Sequence, residues 1–256
     1  MSETRQHCAL LNIEVTPVDK GALIARVGEL LGDGQKRLVL GHNLHSAYLY
    51  HTEPRLQSVY DRADVVIADG KPIEFDARRS MRAAGLDETV CERLGSTDWI
   101  EDFVTAKQPA SIAVVGANAE ANQKFVELLQ GLAPESDVRG FAGAGWNPAR
   151  EKEVTEELNQ FQPQLVFVGL GMPLQEQFLA RKLDNLPPAV YVLIGGAIDQ
   201  LTGTQVLAPR WVGRFGLEWA WRLAAHPRRL AHRYLVEPWA LLGVRMRQGL
   251  RKVKNG

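Results

Sequence analysis

Glycine-rich turns with polar neighbours follow the most apolar segments of this chain of 256 residues. The clearest are Asp69-Gly70, Gly169-Leu170-Gly171 and Gly195-Gly196. Where such a turn enters a helix, glycine lets backbone N–H groups approach an anion, and the helix N-terminus favours negative charge. The turns therefore indicate a phosphate-bearing ligand such as a nucleotide. Glycine also serves simply to turn a strand into a helix, so the plainer interpretation stays open.

Asp69 directly follows the apolar run 64–68. A carboxylate in such a place can act as a general base that takes a proton from an attacking hydroxyl group. The alternative is helix capping, because Asp is a favoured N-cap residue and Pro72 marks a helix start. Position alone does not separate these two roles.

Other polar side chains stand beside the same kind of turn. Gln175 offers both a hydrogen-bond donor and an acceptor to sugar hydroxyls, whereas Glu176 either joins the site or only complements a helix dipole. Asp199 is placed to accept from a ribose or a uracil, or else to cap a helix. Asn43 follows the first apolar run and is a further binding candidate.

Cysteine, histidine and aspartate do not occur in this chain at the spacings that are typical of metal sites. Cys8 and Cys91 are the only cysteines and form no CxxC pair, and no Asp-x-Asp occurs. Clustered carboxylates are what Mg²⁺ or Mn²⁺ would need beside a diphosphate. Of His42, His45 and His51, only the first two have helical spacing. We therefore predict no metal site and no cofactor.

Short apolar runs alternate with longer amphipathic segments between residues 38 and 196. The runs cover 38–40, 64–68, 111–115, 165–168 and 190–194. Each is nearly continuous, which is typical of strands buried on both faces of a parallel sheet. Helices are predicted over 44–58, 97–107, 118–132, 148–161 and 173–183. The pattern predicts an α/β fold, with a Rossmann-like, mostly parallel sheet and flanking helices. Because ligands bind beyond the carboxyl ends of such strands, the turns above should form one site.

Residues 207–256 differ sharply in charge from the rest of the chain. The whole sequence has 30 basic and 30 acidic residues, yet this tail has 11 basic and 2 acidic ones, a net charge of about +9. It also contains Trp211, Trp219, Trp221, Tyr234 and Trp239. Aromatic rings and basic groups together suit an anionic, partly apolar surface such as the lipid headgroup layer. We expect a catalytic domain over 1–206 and a helical, membrane-associating appendage over 207–256.

The end of the tail has the pattern of an interfacial helix. Apolar residues recur at steps of three and four at Leu235, Trp239, Leu242, Met246, Leu250 and Val253. They form one narrow face with basic residues on both flanks, as an amphipathic membrane-surface helix requires. The alternative is a helix packed on the body of the protein or on a second subunit, and a homo-oligomer stays open.

The sequence also favours a cytoplasmic location. Its N-terminus lacks a basic segment followed by an apolar one, and no run approaches the roughly 18 to 20 apolar residues that cross a bilayer. We therefore expect a peripheral protein at the inner face of the cell membrane.

Several motifs occur together in a fixed order. They are Ala68-Asp69-Gly70-x-Pro72, Gly169-x-Gly171-x-Pro173-x-Gln175-Glu176, Gly195-Gly196-x-x-Asp199, Ala208-Pro209-x-Trp211 and Gly216-Leu217-Glu218-Trp219-x-x-Arg222-Leu223. The match continues through Arg229 to Arg233-Tyr234. In this order they resemble the WecG/TagA/CpsF family, glycosyltransferase family 26.

The resemblance implies an inverting transfer of a sugar from a UDP-sugar to a polyprenyl-diphosphate-linked acceptor in bacterial surface polysaccharide biosynthesis. It implies Asp69 as the base and no metal ion. N-acetylmannosamine, its uronic acid and glucose are the donor sugars within it. Binding would involve Asn43, Gly169, Gly171, Pro173, Gln175, Gly195, Gly196 and Asp199.

Without a metal ion, helix dipoles and cationic side chains must stabilise the leaving diphosphate. We expect Arg222, Arg229 and Arg233 of the tail to do so. The chain departs from the family at Leu207-Ala208-Pro209, where an Arg usually precedes Ala-Pro. A second departure is Gly41-His42-Asn43, where many members have a small hydroxyl residue followed by Pro-Asn, and it bears on the acceptor or donor sugar preference.

Two other classes of protein compete with this interpretation. A nicotinamide-dependent oxidoreductase shares the α/β pattern but needs Gly-x-Gly-x-x-Gly in the first βαβ unit, which this chain lacks. A non-catalytic nucleic-acid-binding or phosphate-binding protein would use the basic tail on phosphates. The apolar face of the tail argues against that second class, so we expect no nucleic-acid partner.

Overall fold

The computed structural model describes residues 5–204, 220–221, 223 and 231–255. In this part of the chain, helices flank a six-stranded parallel sheet, which confirms the predicted α/β class. The order of strands across the sheet is β4-β3-β8-β7-β5-β6. These strands are β3 (Arg37–His42), β4 (Val65–Ala68), β5 (Ser111–Gly116), β6 (Asp137–Phe141), β7 (Leu165–Gly169) and β8 (Val190–Leu193).

Ten α-helices have both of their ends among the described residues. They are α1 (Lys20–Leu31), α2 (Leu44–Thr52), α3 (Pro54–Asp61), α4 (Lys71–Ala83), α5 (Ile100–Lys107), α6 (Ala119–Leu132), α7 (Pro148–Phe161), α8 (Leu174–Lys182), α9 (Ala197–Leu201) and α10 (Glu237–Asn255). A π-helical turn, His232–Val236, leads into α10. Strands β1 (Gln6–Cys8) and β2 (Ile13–Val15) form a separate antiparallel hairpin.

Both faces of the sheet are buried, as the continuous apolar runs predicted. One face carries Val39, Ile67 and Val114 against α1, α5 and α6, and the other carries Leu40, Val66 and Val168 against α3, α7 and α8. Burial on both faces, which only β6 among these six strands largely lacks, fixes which side chains point up or down from each strand. The ends of the strands, and hence the turns that follow them, are held in a defined register.

The structure corrects several predicted elements. The helix predicted over 44–58 is two helices, because Pro54 begins α3 and the preceding Glu53 is extended. The chain also forms helix α1 and strand β6, neither of which the sequence indicated to us. Strand β6 lies at the edge of the sheet and exposes three of its five residues, so it lacks a continuous apolar run.

Helix α10 packs on the body of the protein. Its Leu241 is buried in a small core with residues of the hairpin and α4. Arg245 donates from Nε to the Leu10 carbonyl oxygen at 3.0 Å. No helix among the described residues is long and apolar enough to span a membrane. The predicted boundary after residue 206 lies outside the described part of the chain.

Candidate active site

A cleft of about 760 Å³ opens at the carboxyl edge of the sheet. Residues that follow all six parallel strands line it. Near its centre, β5 leads to β6 on one side, whereas its neighbour β7 leads to β8 on the other. A crevice where connections diverge in this way is the usual ligand site of an open parallel sheet.

Close backbone contacts explain the glycines of the cleft. A Cβ atom added to Gly116 would lie 2.3 Å from the Gly169 carbonyl oxygen, and one on Gly169 would lie 2.4 Å from Cδ1 of Ile198. Gly171 and Gly195 have φ angles of 77° and 55°, in the left-handed region that favours glycine. These residues therefore let β5, β7 and β8 end side by side, with bare backbone facing the cleft.

Asp69 lies in the cleft directly after β4. Its backbone N–H donates to the His42 carbonyl oxygen at 2.8 Å, which ties the ends of β4 and β3 together. The N-cap of α4 is Gly70, so the capping role considered for Asp69 is not seen. Gly41 and Gly95 both pack against its side chain: a Cβ added to either would lie 3.1 to 3.3 Å from an Asp69 atom. The small neighbours leave the half-buried carboxylate in a fixed place with access to the cleft.

Asn43 lines the cleft and also caps α2. Its Oδ1 accepts from the Ser46 N–H at 3.1 Å, and the Ser46 hydroxyl accepts from the Asn43 N–H. His42 is a core residue rather than a ligand, because its ring stacks on Tyr60 with centroids 4.1 Å apart. Burial lowers the pKa of His42 to about 3, so the ring is neutral. Asn43 therefore belongs to a rigid turn.

The predicted Gln175 reaches the cleft, but its amide is already engaged. Its Oε1 accepts from the Gly195 N–H at 3.1 Å, and its Nε2 donates to Oε1 of Glu176 at 2.9 Å. Glu176 is fully buried, and this burial raises its pKa to about 7. Gln175 thus bridges the turns that follow β7 and β8.

The remaining predicted residues of the β7 and β8 turns also line the cleft. Pro173 precedes α8, and Gly196 is the N-cap of α9. Asp199 is the third residue of α9, so the N-cap interpretation was wrong. Its Oδ1 accepts from the Thr204 hydroxyl at 3.3 Å. The predicted site residues of the body therefore share one cleft.

The C-terminal segment closes one side of the cleft. Arg233 lines it, whereas Arg222 and Arg229 lie outside the described residues. Glu237, at the start of α10, accepts hydrogen bonds from Nδ1 of His45 and of His232. Burial and the nearby Arg233 lower the pKa of His45, although Glu237 opposes this. The carboxylate thus fastens α10 to α2 at the edge of the cleft.

Among the cleft residues that sequence reasoning missed are Arg93, Asp98, His45 and Glu237. Arg93 pairs with Asp98 at 3.1 Å, and both lie beside Gly95, next to Asp69. This places a cation near the candidate base. No local motif marked these residues, because His45 and Glu237 are 192 positions apart and meet only in the folded chain.

The apolar face predicted for the tail is exposed where the structure describes it. Leu235, Trp239, Leu242 and Met246 all point to solvent, with Trp239 74% exposed. The alternative, in which this face packs on the body, is therefore not seen for these four residues. A separate side of α10, marked by Leu241, makes the contact with the body.

Comparison with known proteins gives a consistent match. The model of the "Glycosyl transferase WecG/TagA/CpsF family" matches residues 8–255. A Bacillus subtilis protein named N-acetylglucosaminyldiphosphoundecaprenol N-acetyl-beta-D-mannosaminyltransferase is 30% identical over 138 residues, which is 54% of this chain and 53% of that protein. A protein of the same name from Bacillus spizizenii is 26% identical over 178 residues, 69% of this chain and 66% of its own length. The matched segment thus spans about half to two thirds of these relatives.

Proposed function

The chain belongs to the WecG/TagA/CpsF family of glycosyl transferases, and from this we propose that it transfers a sugar from a UDP-sugar to a polyprenyl-diphosphate-linked saccharide. The observation that carries the proposal is the position of Asp69, in a cleft that bare glycine turns and helix starts also line. Such walls suit a diphosphate, and the carboxylate suits an attacking hydroxyl.

In the proposed reaction, Asp69 acts as the general base. Its carboxylate takes the proton of the acceptor hydroxyl while that oxygen bonds to the anomeric carbon of the donor sugar. The bond between that carbon and the diphosphate oxygen breaks at the opposite face, and UDP leaves. Attack opposite the leaving group inverts the anomeric centre. The fixed, half-buried carboxylate beside Gly41 and Gly95 supports this role.

The leaving UDP carries growing negative charge, which the cleft must stabilise. We assign this task to the backbone of the β7 and β8 turns, with Arg233 from the C-terminal segment. Arg222 and Arg229 are proposed to join it. This chemistry works without a divalent metal ion, so transfer should survive EDTA. Loss of activity in EDTA that Mg²⁺ or Mn²⁺ restores would contradict metal independence.

The first substrates to test follow from the names of the relatives. Those names give N-acetylglucosaminyl-diphospho-undecaprenol as the acceptor and N-acetylmannosamine as the sugar transferred. We propose the same pair for this chain, with N-acetylmannosaminuronic acid and glucose as competing donor sugars. One hydroxyl or acetamide contact is enough to change such a preference.

We further propose that residues 207–256 hold the enzyme on the inner face of the cell membrane. The exposed apolar face of α10 and the net charge of about +9 support this. A polybasic segment gains about 1 kcal/mol per basic residue near an anionic surface. A polyprenyl acceptor would then reach the cleft from the bilayer.

A donor screen tests the proposed function. UDP release is measured for each of the three UDP-sugars, with and without a short-chain polyprenyl-diphosphate N-acetylglucosamine acceptor. We expect release that depends on the acceptor and is fastest with N-acetylmannosamine. Acceptor-independent release, or none with any donor, would contradict the proposal.

A further inference from the structure

Glu176 forms one end of a hydrogen-bonded chain that runs to the cleft. Its Oε1 accepts from Nε2 of Gln175 at 2.9 Å. In turn, Oε1 of Gln175 accepts from the backbone N–H of Gly195 at 3.1 Å. Gln175 lines the cleft, whereas Glu176 lies behind it, fully buried near the start of α8.

Both neighbours of Gln175 demand the same orientation of its side-chain amide. The Gly195 N–H can only donate, so it selects the amide oxygen. The Glu176 carboxylate can accept at Oε1, so it selects the amide nitrogen. One N–H of Nε2 is left after these bonds. A side-chain amide held from both ends therefore presents a single donor rather than a choice of donor and acceptor.

Burial makes Glu176 a costly residue for packing alone. Its Oε2 is buried without a hydrogen-bond partner among the described residues. An unsatisfied buried polar atom destabilises a fold, and an apolar side chain of similar size would fill the same space without that penalty. A buried polar atom of this kind therefore needs an explanation other than packing.

We propose that Glu176 is a positioning residue that holds the remaining Nε2–H of Gln175 as a donor to the bound nucleotide-sugar. The inference rests on the proposed transfer reaction and adds a group that acts on it through another residue. Glu176 would not touch the substrate. It would keep Gln175 and the Gly195 turn in one arrangement before the donor binds, which lowers the cost of ordering them.

The test compares Glu176→Leu, which removes the acceptor, with Glu176→Gln, which keeps an oxygen acceptor in the same place. We expect Glu176→Leu to raise KM for the UDP-sugar about tenfold or more. Glu176→Gln should rescue KM to within about threefold of the wild type. The matched control is Glu151→Leu, since Glu151 is also buried but pairs with Arg181 on α8 instead of reaching the cleft.

A double-mutant cycle makes the result specific to positioning. If Glu176 acts through Gln175, KM should rise at least as much in Gln175→Leu as in Glu176→Leu, and the double variant should lose no more than Gln175→Leu alone. Wild-type KM in Glu176→Leu, additive losses, or an equal loss in Glu151→Leu would each overturn the inference. The melting temperature of every variant is measured without and with UDP, so that folding and nucleotide binding are checked separately from KM.

Failure of the inference is distinguishable from failure of the proposed function. If the wild-type protein transfers sugar and Glu176→Leu behaves like it, only the positioning role is wrong. If the wild-type protein shows neither transfer nor a melting shift with UDP, the proposed function itself fails, and Glu176 then has no reaction to support.

Discussion

The two walls of the cleft are built in different ways. The sheet wall consists of turns after buried parallel strands, and a methyl group on its Gly116 would clash with the Gly169 backbone at 2.3 Å. The C-terminal wall is attached by side chains: Leu241 in a small core, Arg245 on the hairpin, and Glu237 on His45. The first wall therefore cannot shift without disrupting the core, whereas the second is fastened at a few points.

This contrast suggests a division of labour. A reaction that needs a carboxylate at a fixed place benefits from the rigid wall, where Asp69 lies. Contact with a lipid-linked acceptor benefits from a surface that carries charge and exposed apolar side chains, which is the C-terminal wall. The predictions below separate the two walls, in order of decreasing expected effect.

The largest effect is expected at the rigid wall. Asp69→Asn removes the proposed base but keeps the size of the side chain, so turnover should fall by about 10²- to 10⁴-fold while donor binding persists. Turnover is measured with saturating acceptor, and binding by the melting shift with UDP. The control is Asp61→Asn, because Asp61 is exposed and bonds Tyr50 away from the cleft. Near wild-type turnover in Asp69→Asn would place the base elsewhere.

A smaller loss of turnover is expected when the arginines proposed to stabilise the leaving diphosphate are replaced. Replacing Arg222, Arg229 and Arg233 together with alanine should reduce transfer by about 10- to 100-fold, because charge on the leaving diphosphate is then less well stabilised. Binding to anionic liposomes should fall less. The comparison variant replaces Arg247, Lys252 and Lys254, and should weaken liposome binding while sparing transfer to a short-chain acceptor. If the first variant lost mainly liposome binding and the second mainly transfer, the roles of the two groups of basic residues would be reversed.

The third prediction concerns the pH dependence of stability. Burial raises the pKa of Glu176 from 4.5 to about 7, so between these values the folded chain binds more protons than the unfolded one. The contribution of Glu176 to stability is therefore lost as pH rises from about 4.5 to 7. The side chain of Glu176→Gln does not titrate. The free energy of unfolding of this variant should therefore rise relative to that of the wild type as pH increases, by up to about 3 kcal/mol at pH 8. Denaturant unfolding of both proteins at pH 5 and pH 8 measures this effect. If the difference in unfolding free energy between variant and wild type is the same at both pH values, the prediction is contradicted.

The sheet and its turns could be predicted because burial on both faces leaves a continuous apolar run in the sequence. The ends of those runs then located Asp69 and the glycine turns. Strand β6 was missed because an exposed edge strand leaves no such run. Glu237 was missed because its meeting with His45 depends on how α10 packs, which no local pattern encodes.

The interpretation of Gln175 shows a finer limit. Its residue type indicated a side chain free to donate and accept, but the fold uses its oxygen on the Gly195 turn. The sequence thus shows which hydrogen bonds a side chain is able to make, whereas only the packed structure shows which of its atoms are still available. The same holds for Asn43, whose oxygen caps α2.

The division of labour is tested most directly by the exposed face of α10. Trp239, Leu242 and Met246 are replaced together with serine, and transfer is measured to a short-chain acceptor in solution and to a long polyprenyl acceptor in anionic vesicles. These side chains are exposed, so the fold should persist. We predict near wild-type transfer to the short-chain acceptor and a strong loss with the vesicle acceptor. Equal activity on both acceptors, or an equal loss on both, would contradict the account.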